Sequence, residues 1–93
     1  MTDVPFELVL TPPAVRAIES DHPESVATAV VEFVTTTLIA DPWRVGKPLR
    51  DDLTGVWSAR RGTYRVLYRI HEARCEVVVV RIDHRRDAYR PLT

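Results

Sequence analysis

Twelve cations crowd the second half of this chain, and eleven of them are arginine. From Arg44 to Thr93 they face six acidic residues, a balance of +6. From Met1 to Trp43 a single base, Arg16, faces seven acids, a balance of −6, so the net charge of zero conceals a split. A guanidinium presents a planar fork of donors that grips phosphate with two prongs, whereas lysine is a point charge. The chemistry such a half-chain suits is phosphate handling: holding a nucleic-acid backbone, or stabilising charge on a reacting phosphoryl group. The competing reading is solvated faces and surface ion pairs, and charge asymmetry alone does not separate the two.

Other chemistries find less support. His22, His71 and His84 are scattered, and no Cys/His pair has ligand spacing, so no metal is expected. Gly46, Gly55 and Gly62 form no phosphate-cradling loop, and nothing points to an organic cofactor. Cys75 is alone, which rules out an internal disulfide and fits a reducing, cytoplasmic setting. No apolar stretch approaches the ~20 residues of a membrane span. The N-terminus lacks the basic region of a secretory signal.

The elements that must position the arginines follow from pattern. Ninety-three residues make one domain, 1–93. Val4–Leu10 reads as a strand, and Pro5 places it at an edge or at the strand's first residues. Thr11-Pro12 is a helix start, and the helix runs to near Asp21, where His22-Pro23 breaks it. A second helix starts around Glu24, with Ala27, Val30, Val31, Val34 and Leu38 on one face, and stops at Asp41-Pro42. Arg44–Leu53 reads as a polar loop. Val56–Arg61, Thr63–His71 and Arg74–Ile82 read as three strands joined by tight turns, an antiparallel meander. His84–Tyr89 forms a polar tail. The fold class is α+β: an N-terminal strand, a two-helix hairpin and a meander packed on the helices.

Strand alternation then sorts side chains. Trp57, Ala59, Tyr64, Val66, Tyr68 and Ile70 face the helices as packing residues. Val78, Val80 and Ile82 are expected beside them. Ser58, Arg60, Arg65, Arg69 and Arg81 collect on the opposite face. A three-residue turn would set Arg65 directly opposite Arg81. Like charges so placed cost stability. An anion bound there would offset that cost, and so would flanking acids such as Glu76 or Asp83.

The order of elements and two stretches, residues 46–70 (GKPLRDDLTGVWSARRGTYRVLYRI) and 79–90 (VVRIDHRRDAYR), resemble the RelE/ParE toxin superfamily, the toxin halves of bacterial toxin–antitoxin pairs. The resemblance spans essentially the whole chain. It rests most on Gly62-Thr63-Tyr64-Arg65-Val66-Leu67-Tyr68 joined to the His84…Tyr89 tail. It implies a metal-independent endoribonuclease, an mRNA interferase cutting mRNA at the ribosomal A site, with a cognate antitoxin, mRNA and the ribosome as partners. It also implies catalytic roles for Arg65 on the third strand, for Arg85 after the last strand with Arg81 as competitor, and for Tyr89 in the tail. Ser58 and Arg60 stand where some ribosome-dependent members carry lysines, which leaves the general base open.

Metal-free RNA cleavage uses the substrate's 2′-OH as nucleophile. It needs a base, an acid and cations for the charge growing on phosphorus. Arginine suits the last task and not the first. Histidine titrates near neutrality and tyrosine does so when cations depress it, which makes His84 and Tyr89 the proton carriers to consider. Lys47, Arg50, Arg60, Arg61 and Arg69 are expected to contact the RNA backbone. Two rival readings stand beside this one: a ParE-like toxin that inhibits DNA gyrase by binding, and a degenerate module that only binds antitoxin or RNA.

Overall fold

Thr11 does two jobs at the point where the first strand gives way to the first helix. In the computed structural model, which describes residues 5–21 and 24–84, its extended backbone and side-chain oxygen cap the helix, accepting a bond from Ala14 N at 3.4 Å. Pro12 fills the first helical position, where its missing N–H costs nothing. Helix α1 (Pro12–Arg16) passes into a π-helical stretch over Ala17–Asp21. Helix α2 (Glu24–Glu32) likewise passes into a π stretch over Phe33–Leu38. There Thr35 and Thr36 donate to the carbonyls of Val31 and Glu32 at 2.6 and 2.5 Å. These are the carbonyls an α-helix reserves for the same residues' N–H groups, and the helix opens where the hydroxyls occupy them. The wider turn changes the buried stripe. Val30, Val34 and Leu38 are buried as the spacing predicts, but Val31 is 41% exposed and Phe33 takes its place in the core.

Five strands form one sheet in the order β1-β5-β4-β3-β2. β1 (Glu7–Leu10) is an edge strand, parallel to β5 (Glu76–His84). The meander of β3 (Trp57–Arg61), β4 (Tyr64–His71) and β5 is antiparallel. Gly62 enters the β3–β4 turn at φ 58°, the left-handed value the first position of a two-residue II′ hairpin turn requires. The expected polar loop is more structured than its composition indicates. Pro42 starts a short helix α3 (Pro42–Val45), and Lys47–Pro48 add a two-residue strand β2 along β3. The helices cover one face. Ala14, Ala17, Phe33, Val34 and Leu38 pack there against Ala59, Val66, Tyr68, Val77, Val79 and Ile82.

The register of β5 departs from the expected one. The β4–β5 turn holds four residues, closing with Cys75 in the left-handed region at φ 55°, and pairs His71 with Glu76. A bulge then interrupts β5: Tyr68 pairs with Val79, but Leu67 pairs with Arg81, leaving Val80 as the extra residue. Val77 and Val79 therefore fill the core, where Val78 and Val80 were expected. Arg65 lies opposite Asp83, not Arg81. Past the bulge the alternation returns to its expected phase, so Ile82 is buried with the core and Arg81 keeps the outer face. The bulge leaves carbonyls that the ladder does not use. Thr11 collects them: its N–H bonds the Val79 oxygen at 3.1 Å, and its hydroxyl reaches the Val79 and Val80 oxygens at 3.0 and 2.9 Å.

A second tie pins the 42–48 segment. The buried Tyr68 hydroxyl donates to the Pro42 carbonyl at 2.6 Å. Burial pushes this phenol up to about 12, and the Asp41 carboxylate adds in the same direction, so it stays a donor. Gly46 packs under it: a Cβ there would collide with the Tyr68 hydroxyl and sit 2.9 Å from the Ser58 carbonyl oxygen.

Two stability predictions follow from these ties. Thr11→Val keeps the shape of the side chain but removes both the cap and the bulge's donor. It should lower stability by about 1–3 kcal/mol, seen as a lower urea midpoint at unchanged slope; an unchanged midpoint would show that the bulge does not depend on this hydroxyl. Gly46→Ala forces overpacking against a backbone atom and should cost about 1–3 kcal/mol. Combining it with Tyr68→Phe should cost less than the sum of the two single changes, because the second removes one of the clashing atoms. Strict additivity in the urea double-mutant cycle would contradict the contact.

Candidate nucleic-acid interface

The face of the sheet away from the helices carries the cations. Arg60 on β3 and Arg65 on β4 are directly paired across the strands. Two residues back along β3, Ser58 pairs with Lys47 of β2. Directly opposite residues share a face, so Lys47, Ser58, Arg60 and Arg65 stand together. They line a half-open cleft of about 520 Å³, whose other wall is Arg44, Val45, Gly46 and Leu49. Four cations and no carboxylate line this cleft.

The two walls are locked together by backbone. Leu49 N donates to the Val56 carbonyl at 2.8 Å, the Lys47–Ser58 and Pro48–Trp57 pairs continue the ladder, and Tyr68 holds Pro42 from below. The positions of the cations' Cα atoms are thus set by hydrogen-bonded structure, while the heads of Arg44, Lys47 and Arg60 reach solvent.

The sequence-predicted residues divide by place. Arg65, Arg60 and Lys47 meet in the cleft. Arg81 is on the same outer face, two residues from Asp83, and its Nε donates to Asp83 Oδ1 at 2.6 Å. That carboxylate is almost fully buried. Asp83 is also the residue across from Arg65, yet the ion pair it forms is with Arg81. Among the described residues, Arg60 and Arg65 have no ion-pair partner. The like charges at this cross-strand pair are therefore left to solvent or to an anion.

Other expected residues lie elsewhere. Arg61 has the helix-side parity, and its guanidinium sits 4.9 Å from the centre of the Phe33 ring. Arg69 lies four residues along β4 from Arg65, over the Gly55 turn. Arg50 precedes the short 3₁₀ turn Asp51–Leu53, outside the cleft lining. His84 ends β5 opposite Tyr64, on the helix-side parity. Arg85 and Tyr89 lie outside the described residues. Arg44 lines the cleft without having been singled out among the backbone contacts. The Pro42 helix start just ahead of it is the one sequence signal that could have separated it from the loop.

Two tyrosines are turned into the core, with their hydroxyls engaged by backbone carbonyls. Burial raises the Tyr64 phenol despite the nearby Arg61, with Glu32 adding to the rise, and its hydroxyl donates to the Ala29 carbonyl at 3.2 Å. Tyr68 is held more tightly still, as described above. Among the described residues, no group of three or more His, Cys, Asp or Glu side chains could hold a metal ion. No helix among them is long and apolar enough to cross a membrane. The cleft is thus equipped to bind a polyanion and to stabilise negative charge on it.

Comparison with known proteins places this geometry. The family model for the ParE toxin of the parDE type II toxin–antitoxin system matches residues 9–89. The chain is 49% identical over 87 residues to toxin RelG of Mycobacterium tuberculosis, covering 94% of this chain and 99% of that protein. It is 44% identical over 88 residues to toxin RelE of the same organism, covering 95% and 90%. Among solved structures, a chain of the RelBE2 toxin–antitoxin complex of M. tuberculosis superposes with a TM-score of 0.85 at 49% identity, over 88% of this chain and 100% of that one. The E. coli RelBE complex shares the fold, with a TM-score of 0.71 at 14% identity over 85% and 95% of the two chains. A match across nearly the whole chain, joined to the same mixed sheet-and-helix layout, decides the matter: the chain belongs to the RelE/ParE superfamily and is a RelE-type toxin of a type II toxin–antitoxin system.

Proposed function

We propose that this toxin is a metal-independent endoribonuclease that cleaves mRNA, at the ribosomal A site, through attack by the substrate's own 2′-OH. The observation that carries the reading is the cleft: four cations from two hydrogen-bonded walls, no lining carboxylate, and an unneutralised Arg60–Arg65 pair at its base. A phosphodiester seated there would have guanidinium donors aimed at its non-bridging oxygens. Charge on those oxygens grows as the pentacoordinate phosphorane forms, so fixed donors stabilise the transition state more than the bound substrate. The 2′-oxygen bonds to phosphorus as it loses its proton to a base; the bond from phosphorus to the 5′-oxygen breaks as an acid protonates the leaving group. The products are a 2′,3′-cyclic phosphate and a 5′-hydroxyl.

Arg65 and Arg60 carry the charge stabilisation in this reading, with Arg85 as the further arginine the resemblance implies; Arg81 is committed to the Asp83 carboxylate and serves by keeping that acid from Arg65. With Tyr64 and Tyr68 held as buried donors, Tyr89 is the remaining tyrosine for proton transfer; His84 stands on the helix-side parity and could share that role only by reaching round the end of β5. The partner that silences the toxin is a cognate antitoxin, a reading supported by the RelBE2 toxin–antitoxin complex, one chain of which is 49% identical to this one. A second reading draws on the ParE family match and on Ser58 and Arg60 at positions where some ribosome-dependent members carry lysines: inhibition of DNA gyrase by binding.

Arg65→Ala should abolish growth arrest on induced expression while changing stability by less than about 1 kcal/mol, since the side chain lies off the core. Loss of its transition-state contact should slow cleavage by about 100-fold or more. An Arg65→Ala protein that folds and remains fully toxic would remove this residue from the site. The chemistry has its own test. Cleavage should survive EDTA, with ribosomes kept intact by other means, and transcripts should end in 2′,3′-cyclic phosphate or 3′-phosphate. Ends bearing 3′-hydroxyl and 5′-phosphate contradict 2′-OH attack, and DNA broken through trapped gyrase would move the protein to the second reading.

A further inference from the structure

We infer that the wall built by residues 44–47 is a second phosphate seat, in which Arg44 and Lys47 hold the backbone phosphate next to the one gripped by Arg60 and Arg65. The inference rests on the nuclease reading of the cleft and names its substrate more closely: a single RNA strand engaged through two successive phosphates.

Charge arithmetic is the first argument. A phosphodiester carries one negative charge on two non-bridging oxygens, and a bidentate guanidinium matches that pair of oxygens. Arg60 and Arg65 together suffice for one phosphate at their cross-strand position. Arg44 and Lys47 then remain as two further cations in the same cleft, with no carboxylate in the lining. Spacing is the second. Lys47 belongs to the Ser58 row of the sheet and Arg65 to the Arg60 row, two residues further along β3. At about 3.3 Å per residue these rows are about 7 Å apart along β3. Lys47 stands one strand, about 5 Å, further out than Arg60. The Cα atoms of Lys47 and Arg60 are therefore roughly 8 Å apart, a span over which two long side chains can hold neighbouring phosphates of an extended strand. Rigidity is the third. Arg44 and Lys47 follow the tie of Tyr68 to Pro42 and flank Gly46, which packs closely on Ser58. Their backbone is fixed before ligand arrives, which lowers the entropy lost on binding. Among the described residues, neither has an ion-pair partner.

The test uses two non-cleavable probes: a 2′-O-methyl dinucleotide with one phosphodiester and the trinucleotide with two, both without terminal phosphates. Binding to the full-length toxin is followed by NMR titration. The wild type should bind the trinucleotide at least about tenfold more tightly, the worth of one charge-assisted contact. Arg44→Ala and Lys47→Ala should each reduce that advantage while changing dinucleotide affinity less than about twofold, a smaller step than such a contact carries. Arg44→Lys should restore part of it. A wild type with no preference, an Arg44→Ala protein that keeps the full preference, or equal losses on both probes would each overturn the second seat. Arg65→Ala checks the underlying reading separately and should weaken both probes. If it changes neither, the assignment of Arg65 falls, while the 44–47 seat is judged on its own two probes. If the folded wild type binds neither oligonucleotide, both fall together.

Discussion

The bulge at Val80, held by Thr11, sets which way the last strand presents its side chains. Four valines in a row can meet the core on either parity. The turn at Cys75 gives Val77 and Val79 to the core, and the bulge then restores the outward phase for Arg81 and Asp83. Without the extra residue, Arg81 would point into the helix layer, where its charge would have to be desolvated without a partner. The same threonine that starts the first helix collects the carbonyls freed by the bulge. Helix start, parallel edge pairing and outer-face charge pattern therefore share one side chain.

The second organising contact works from the other end of the sheet. Tyr68 projects from the centre of β4 into the core and spends its hydroxyl on Pro42, the first residue of the segment that forms the far wall of the cleft. A short helix and a two-residue strand have little stability of their own. Tyr68, the Gly46 contact and the Leu49–Val56 bond hold the segment against β3. The shape of a surface cleft is thus fixed by a buried phenol on the opposite face of the same strand.

Much of this was legible in the residues, for physical reasons that also explain what was not. Thr11-Pro12, Asp41-Pro42 and Gly62 mark boundaries because each has a backbone preference few other residues share. On β4 the run Tyr64 to Arg69 alternates apolar and basic apart from Leu67, which fixes its faces and exposes Arg65 as an outward charge. The run Glu76 to Val80 has no such alternation, so a shift of one residue is invisible in it, and a slip reverses every face. The Arg65–Arg81 pairing failed on that ground. Val31 failed because α-helical spacing does not hold through a π stretch. Arg60 and Arg65 were legible as outer-face residues through strand parity, whereas Lys47 was expected to contact RNA from a loop, and the two-residue strand that carries it was not foreseen. Arg44 was not legible, because its place depends on the long-range bond between Tyr68 and Pro42, which no local pattern encodes.

The position of Asp83 shows how the site keeps its charge. It is the single described carboxylate on the outer face near Arg65, across from it in register, and it is almost fully buried. Paired with Arg65, it would cancel the central cation of the cleft and leave a weak anion site. Arg81 occupies it instead, through a short Nε–Oδ1 bond from the neighbouring position of the same strand. A buried carboxylate needs such a partner, and removing the partner leaves an uncompensated charge that would draw the next nearest guanidinium. Arg81 thereby spares Arg65. The cost is the unrelieved Arg60–Arg65 pair, a local repulsion that the well-tied sheet tolerates and that a bound phosphate would turn into attraction. The positive half of the chain is therefore more than an excess of arginine: its acids are placed to satisfy some guanidiniums and leave the cleft's own unsatisfied.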